Sequence, residues 1–133
     1  MTAYLDASAA VKLVRAEGES GALRDEVVQW DQHASSEVLA VELRRTARRG
    51  GDPAGVALVE DVLAAIAPVP WSRTTADRAG TVPFTPPLRS LDAIHLATAL
   101  TLRDDLDVFI ADDRGLLAAA VAEGLATASP GQA

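Results

Sequence analysis

A chain of 133 residues that is 49 % apolar suits one domain, expected to span residues 1–133, with enough length for a single core and too little polarity for wholesale disorder. It has no cysteine, which excludes disulfides and thiolate metal sites and fits a reducing, cytoplasmic setting. The net charge of −7 argues against nucleic-acid binding by bulk charge, yet eleven of the twelve basic residues are arginine and four crowd together as Arg44, Arg45, Arg48 and Arg49.

The first residues, MTAYLDASAAV, lack the basic segment of a signal peptide and meet Asp6 early. No apolar run approaches the roughly 18–20 residues of a membrane helix, so a soluble protein with no membrane partner is expected. Residues 2–5 form an apolar run that reads as a buried strand ending at Asp6. Ser8 is placed to cap a helix to about Arg15, with Ala10, Val11 and Val14 on one face and Gly18 as its stop. A second helix is predicted over 20–30, with Leu23, Val27 and Trp30 in register. Residues 32–35 read as a short strand. Ser35 or Ser36 then caps a helix to about Arg49, closed by Gly50-Gly51.

Pro53 suits the first turn of a helix running to about Ile66. Residues 67–71, with two prolines, fit only an edge strand. A short helix is predicted over 75–79 and a loop over 80–89, which holds Gly80, Pro83, Pro86 and Pro87. Ser90 is expected to cap a helix over 91–103. Residues 107–111 form the clearest strand, followed by a helix over 114–123, a stop at Gly124 and a last edge strand over 125–128. Strands alternating with helices imply a three-layer α/β/α domain on a mostly parallel sheet.

The acidic residues fall at telling places on this frame. Asp6 follows the first strand, and Asp112 and Asp113 follow the strand over 107–111. In open parallel sheets ligands bind at the carboxyl ends of strands, so these groups share a rim. The competing reading is that the aspartates only cap the next helices. Glu42 has Val38, Leu39, Leu43 and Thr46 at −4, −3, +1 and +4, which sets a carboxylate beside an apolar face. That is costly unless a metal or a partner such as Arg45 compensates it. Asp92, in the first turn of its helix, either serves the helix dipole or acts as a ligand. Clustered hard oxygen donors suit Mg²⁺, whereas the absence of cysteine and the presence of only two histidines argue against zinc. Such an ion could polarise a phosphoryl oxygen, generate hydroxide from bound water and stabilise a leaving oxygen.

His95, on an apolar helix, reads as structural rather than as a ligand, and nothing marks His33. Trp30 and Trp71 read as core cover rather than as base-stacking platforms. The arginine cluster reads equally as a contact for RNA phosphate or an acidic partner and as a solvated face. A haloacid-dehalogenase-like phosphatase would need Asp where Ser8 stands. A response-regulator receiver would need an acidic pair after the first strand and a lysine near the phosphate, and the only lysine is Lys12.

The segments YLDASAAVKL, SSEVLAVELRR, LDAIHLATAL and DVFIADDRGLLAAA, in this order and spacing, resemble the signature segments of the PIN-domain family, and among them those of its VapC-like toxins. The resemblance runs from Tyr4 nearly to the C-terminus and includes GLATASP. It implies an endoribonuclease that acts as the toxin of a type II toxin–antitoxin pair. Asp6, Glu42, Asp92 and Asp113 would be the acidic residues around Mg²⁺ or Mn²⁺, with Ser8 nearby. It also implies a structured RNA substrate, often transfer RNA, a cognate antitoxin and a homodimer. One departure from the family pattern is Ala111-Asp112-Asp113 in place of Thr-x-Asp. Asp113 matches by its spacing to Leu116, and Asp112 is an extra carboxylate that substitutes or assists. The resemblance equally covers a free-standing PIN nuclease and a PIN-like module that binds RNA or protein without cleaving. For the antitoxin, a docking groove is expected along the first two helices at Val11, Val14, Leu23 and Val27.

Overall fold

The computed structural model describes residues 1–14, 20–82 and 88–131. In chain order the elements are β1 (Thr2–Leu5), α1 (Ala7–Val14), α2 (Ser20–Val27), β2 (Gln32–Ser36), α3 (Val38–Gly50), α4 (Pro53–Ala64), β3 (Ala67–Val69), α5 (Arg73–Ala79), α6 (Ser90–Thr101), β4 (Leu106–Ile110), α7 (Arg114–Ala122) and β5 (Thr127–Ala128). The strands form one sheet in the order β3-β2-β1-β4-β5, and every pairing is parallel. β1 and β4 therefore lie at the centre. Pro68 falls on the edge strand β3, where a missing ladder N–H is tolerated.

Alternation along the two central strands divides the core. Ala3 and Leu5 of β1, with Val108 and Ile110 of β4, pack on one face against Ala9, Ala10, Leu23, Leu39, Leu43 and Val59 of α1–α4. Tyr4 and Phe109 point to the other face, against Ala93, Leu96, Ala99 and Leu100 of α6 and Leu116 and Ala120 of α7. This is the expected three-layer α/β/α arrangement. The Tyr4 and Phe109 rings stack with centroids 5.3 Å apart. Among the described residues no helix is long and apolar enough to cross a membrane.

Helix starts differ from the expectation at the serines. Asp6, not Ser8, precedes α1, and its carboxylate accepts the Ala9 N–H at 3.1 Å. β2 runs on through Ser36, so α3 begins at Val38 with Glu37 at the cap position and no side-chain cap bond. Ser36 Oγ instead accepts the Val38 N–H at 3.2 Å. Arg89, in extended backbone, precedes α6, which puts Ser90 inside the helix. In the first two cases the strand runs to the residue that turns the chain, so the capping place is set by where pairing ends. Other expected helix signals hold: Pro53 opens α4, where Asp52 accepts the Ala54 N–H, and Gly51, at φ +70°, closes α3 in a conformation that glycine adopts without strain. α2 ends at Val27 rather than residue 30, and α5 starts at Arg73, capped by Ser72, rather than at 75. Arg15, Gly18, Pro83, Pro86 and Pro87 lie outside the described residues.

Candidate active site at the carboxyl rim of the sheet

Because β1 and β4 are parallel neighbours, with Leu5 paired to Ile110, the chain leaves both at the same rim. The Asp6 N–H continues the ladder by donating to the Ile110 carbonyl at 3.1 Å. Asp6 is only 1 % exposed, although it carries an ionisable carboxyl group. Ser8 Oγ lies 2.7 and 2.9 Å from its two carboxylate oxygens, so one hydroxyl proton serves both. The same Ser8 Oγ accepts the Asp112 N–H at 2.9 Å, which ties the β1–α1 turn to the β4–α7 turn. Burial pushes the Asp6 carboxyl up to about 6, against the opposing pull of the Ser8 hydroxyl, the nearby His95 and the Ala9 amide.

The other predicted carboxylates join the same rim by different routes. Asp113 caps α7, accepting the Leu116 N–H at 2.8 Å. Asp92 is half-buried in the first turn of α6. Its carboxyl is raised by burial first and then by repulsion from Asp113. Glu42 adds a smaller push, and Arg89 and His95 act against the shift. Asp92 thus feels the charge of both Asp113 and Glu42. Glu42, 17 % exposed on α3, accepts a 2.7 Å hydrogen bond from His95 Nε2. Asp112 pairs with the buried ammonium of Lys12 on α1. Among the described residues no three His, Asp or Glu side chains are grouped closely enough to hold a metal ion as they stand. Asp6, Glu42, Asp112 and Asp113 are each turned toward a protein donor.

The arginine cluster divides by helical geometry. Arg44 and Arg48 face α4, where Arg44 makes two hydrogen bonds to Glu60 at 2.8 and 3.0 Å. Arg45 and Arg49, one position on, face a cleft of about 810 Å³. Ser8 and Val11 of α1, Val38, Val41 and Glu42 of α3, and Leu91 of α6 also line it, so it opens beside the acidic rim. Of the four arginines, only Arg45 and Arg49 are placed to meet something bound there.

Three groups at this site were not singled out by the sequence reading: Tyr4, Lys12 and the bridging role of His95. Lys12, the sole lysine, on a helix with buried Ala9 and Ala10, was the available signal. His95 is structural, as expected, but what it supports is Glu42. Trp71 is 44 % exposed, so it does not cover the core; Trp30 does pack against it. Leu23 is buried in the core and does not line a groove, while Val11, Val14 and Val27 are only partly buried.

A doubly covered parallel sheet with acidic side chains gathered at its carboxyl rim defines the class. The family model described as PIN domain matches residues 3–122, and the chain belongs to the PIN-domain family. It is 42 % identical to the Ribonuclease VapC35 of Mycobacterium tuberculosis over 98 % of each chain. It is 36 % identical to the Ribonuclease VapC47 of the same species over 96 % of each. Among solved structures, a chain of a toxin–antitoxin complex from Klebsiella pneumoniae superposes with a TM-score of 0.74 at 20 % identity, covering 98 % of this chain and 99 % of that one. The M. tuberculosis VapC20, described as a sarcin-ricin loop cleaving toxin, gives 0.72 at 16 % identity, covering 96 % and 99 %. At such identities the structural likeness speaks to the fold.

Proposed function

We propose that this chain is a divalent-metal-dependent endoribonuclease and the toxin of a type II toxin–antitoxin pair. Near-full-length relatives named as ribonucleases support the activity. The observation that carries the site is Asp6, a carboxylate 1 % exposed at the rim where the two central strands end. A buried carboxylate is costly unless a cation compensates it.

The donor set fits a hard cation. It is all oxygen, and the repulsion that Asp113 and Glu42 exert on Asp92 is what a divalent ion relieves. Asp6, Asp92, Asp113 and Glu42 would hold Mg²⁺ or Mn²⁺, with Asp112 kept as the counter-ion of Lys12. Bound there, the ion supplies a lowered water pKa and charge stabilisation of the phosphate. The chain's own residues do the rest. Ser8 and the Ala9 amide fix the Asp6 carboxylate, and Arg45 and Arg49 along the cleft offer planar guanidinium groups to RNA phosphates.

A structured RNA such as transfer RNA is the proposed substrate. The proposed partner is an antitoxin presenting an arginine or a basic segment to the rim carboxylates. Exposed Val41 and Leu91 offer apolar surface for a homodimer. The test is sequencing of RNA 5′ ends after induction, compared with an Asp6→Ala control. New ends at defined sites in the wild type alone are expected. Identical end profiles would sink the nuclease reading and leave a PIN-like binding module. Co-expression with the product of the adjacent gene should yield a stable complex. No complex, from a chain harmless when overproduced, would leave a free-standing nuclease.

A further inference from the structure

Behind Glu42 lies a continuous polar connection through the core. The Ser36 N–H, at the end of β2, donates to the Tyr4 hydroxyl oxygen at 3.0 Å. The Tyr4 hydroxyl lies 2.8 Å from His95 Nδ1, and His95 Nε2 lies 2.7 Å from Glu42 Oε1. Tyr4 and His95 are buried, and their rings meet edge to face at 5.9 Å. Buried polar groups at these distances leave little freedom in who donates to whom. A nitrogen 2.7 Å from a carboxylate oxygen must carry a proton, so Nε2 is N–H. In the neutral ring Nδ1 is then bare and needs a donor. Tyr4 supplies it, because its hydroxyl lies 2.8 Å from Nδ1 while its oxygen already accepts the Ser36 N–H.

We infer that Tyr4 and His95 are positioning residues that hold the Glu42 carboxylate in place for the metal site, with Tyr4 selecting the His95 tautomer that donates to Glu42. This rests on the reading of Glu42 as a metal-site carboxylate. Glu42 stands on α3, whereas Asp6 and Asp113 leave the central strands and Asp92 stands on α6. Without His95 the long Glu42 side chain would be free to swing into the open cleft it lines. Partners that orient metal-binding side chains in this way typically change metal affinity by about 10–100-fold when removed.

Two measurements on the full chain test this. In a ¹⁵N–¹H spectrum of the imidazole nitrogens at pH 8, the wild-type His95 ring should carry its proton on Nε2, and Tyr4→Phe should produce a tautomer mixture. A wild-type ring protonated on Nδ1 overturns the proposal. The second measurement is Mn²⁺ binding, with Mn²⁺ alone as the probe, followed by the electron paramagnetic resonance of the free ion. His95→Leu should weaken binding about tenfold. Tyr4→Phe should weaken it less, and His95→Gln, whose amide N–H reaches toward Glu42, should recover most of the loss. A packing role alone would lower the melting temperature and leave the Mn²⁺ affinity of the folded protein unchanged. If His95→Leu does not fold, Tyr4→Phe, His95→Gln and the wild-type tautomer decide the matter. Wild-type affinity in the histidine and tyrosine variants, with weakened binding in Glu42→Gln, overturns the positioning role alone. Wild-type affinity in Glu42→Gln overturns the metal-site reading of Glu42 and this inference with it.

Discussion

On the flank of α3 that faces α4, Arg44 grips Glu60 through two hydrogen bonds, the shorter 2.8 Å, with the two side chains 51 % and 56 % exposed. On the flank that faces the rim, Glu42 meets His95 at 2.7 Å, with the histidine 1 % and the glutamate 17 % exposed. The two contacts are nearly equal in length. Water competes for both ends of the first, so the pair contributes little. The second stands where an unmet partner would stay desolvated, and it continues inward through Tyr4 to the sheet. Burial and connection, more than distance, separate a surface ion pair from a structural element of a site.

The sharpest test of that contrast is on the rim itself. Asp6→Asn preserves shape and removes a buried charge. Cleavage of RNA by the purified variant should fall at least about 100-fold with the fold intact, read by single-turnover kinetics beside circular dichroism. A variant that cuts at the wild-type rate would remove Asp6 from the site.

The same residue predicts a pH dependence of stability in metal-free buffer. Its folded carboxyl is raised from 3.8 to about 6, so the folded state binds the proton more tightly than the unfolded chain. The stability that this group contributes is therefore fully present below about pH 4 and is lost as pH rises through about 6. The loss is on the order of 3 kcal/mol at most, scaled from the size of the shift. Urea midpoints with a chelator present should show wild type falling behind Asp6→Asn between pH 4.5 and 7.5. Parallel curves for the two proteins would contradict this. Millimolar Mn²⁺ should then raise the wild-type melting temperature more than that of Asp92→Asn.

The arginines give a smaller effect. Arg45→Ala with Arg49→Ala should weaken RNA binding and flatten its log–log salt dependence by roughly 0.7 for each phosphate no longer neutralised. Arg44→Ala should leave that slope untouched. A flattened slope in Arg44→Ala alone would invert the assignment of the two flanks. The smallest effect is expected for Glu60→Gln, whose melting temperature should match wild type. A drop comparable to that of His95→Leu would undo the contrast between the flanks.

Much of this arrangement was legible in local pattern. The buried strands, Pro68 at an edge, Pro53 at a helix start and the stop at Gly51 each follow from a few neighbouring residues. Asp6 and Asp113 were legible as groups at strand ends. Each carboxylate caps the next helix, and each stands at the rim. The caps expected at Ser8 and at Ser35 or Ser36 were misplaced because a cap depends on where strand pairing stops. β2 stays paired to β3 through Ser36, whose partner is Val69.

By itself, the sequence determined the parallel α/β class, the alternating faces of the central strands and the placing of Asp6 and Asp113 after those strands, because hydrophobic period and turn chemistry act over a handful of residues. Only the tertiary structure decided which charges are met and by what. Lys12 finds Asp112, Arg44 finds Glu60, and His95 bridges Tyr4 and Glu42. Arg44 and Arg45 are adjacent in the chain and lie on different flanks of α3. These outcomes depend on partners 16 to 100 positions away and on how much water remains between them, and no local pattern carries either quantity.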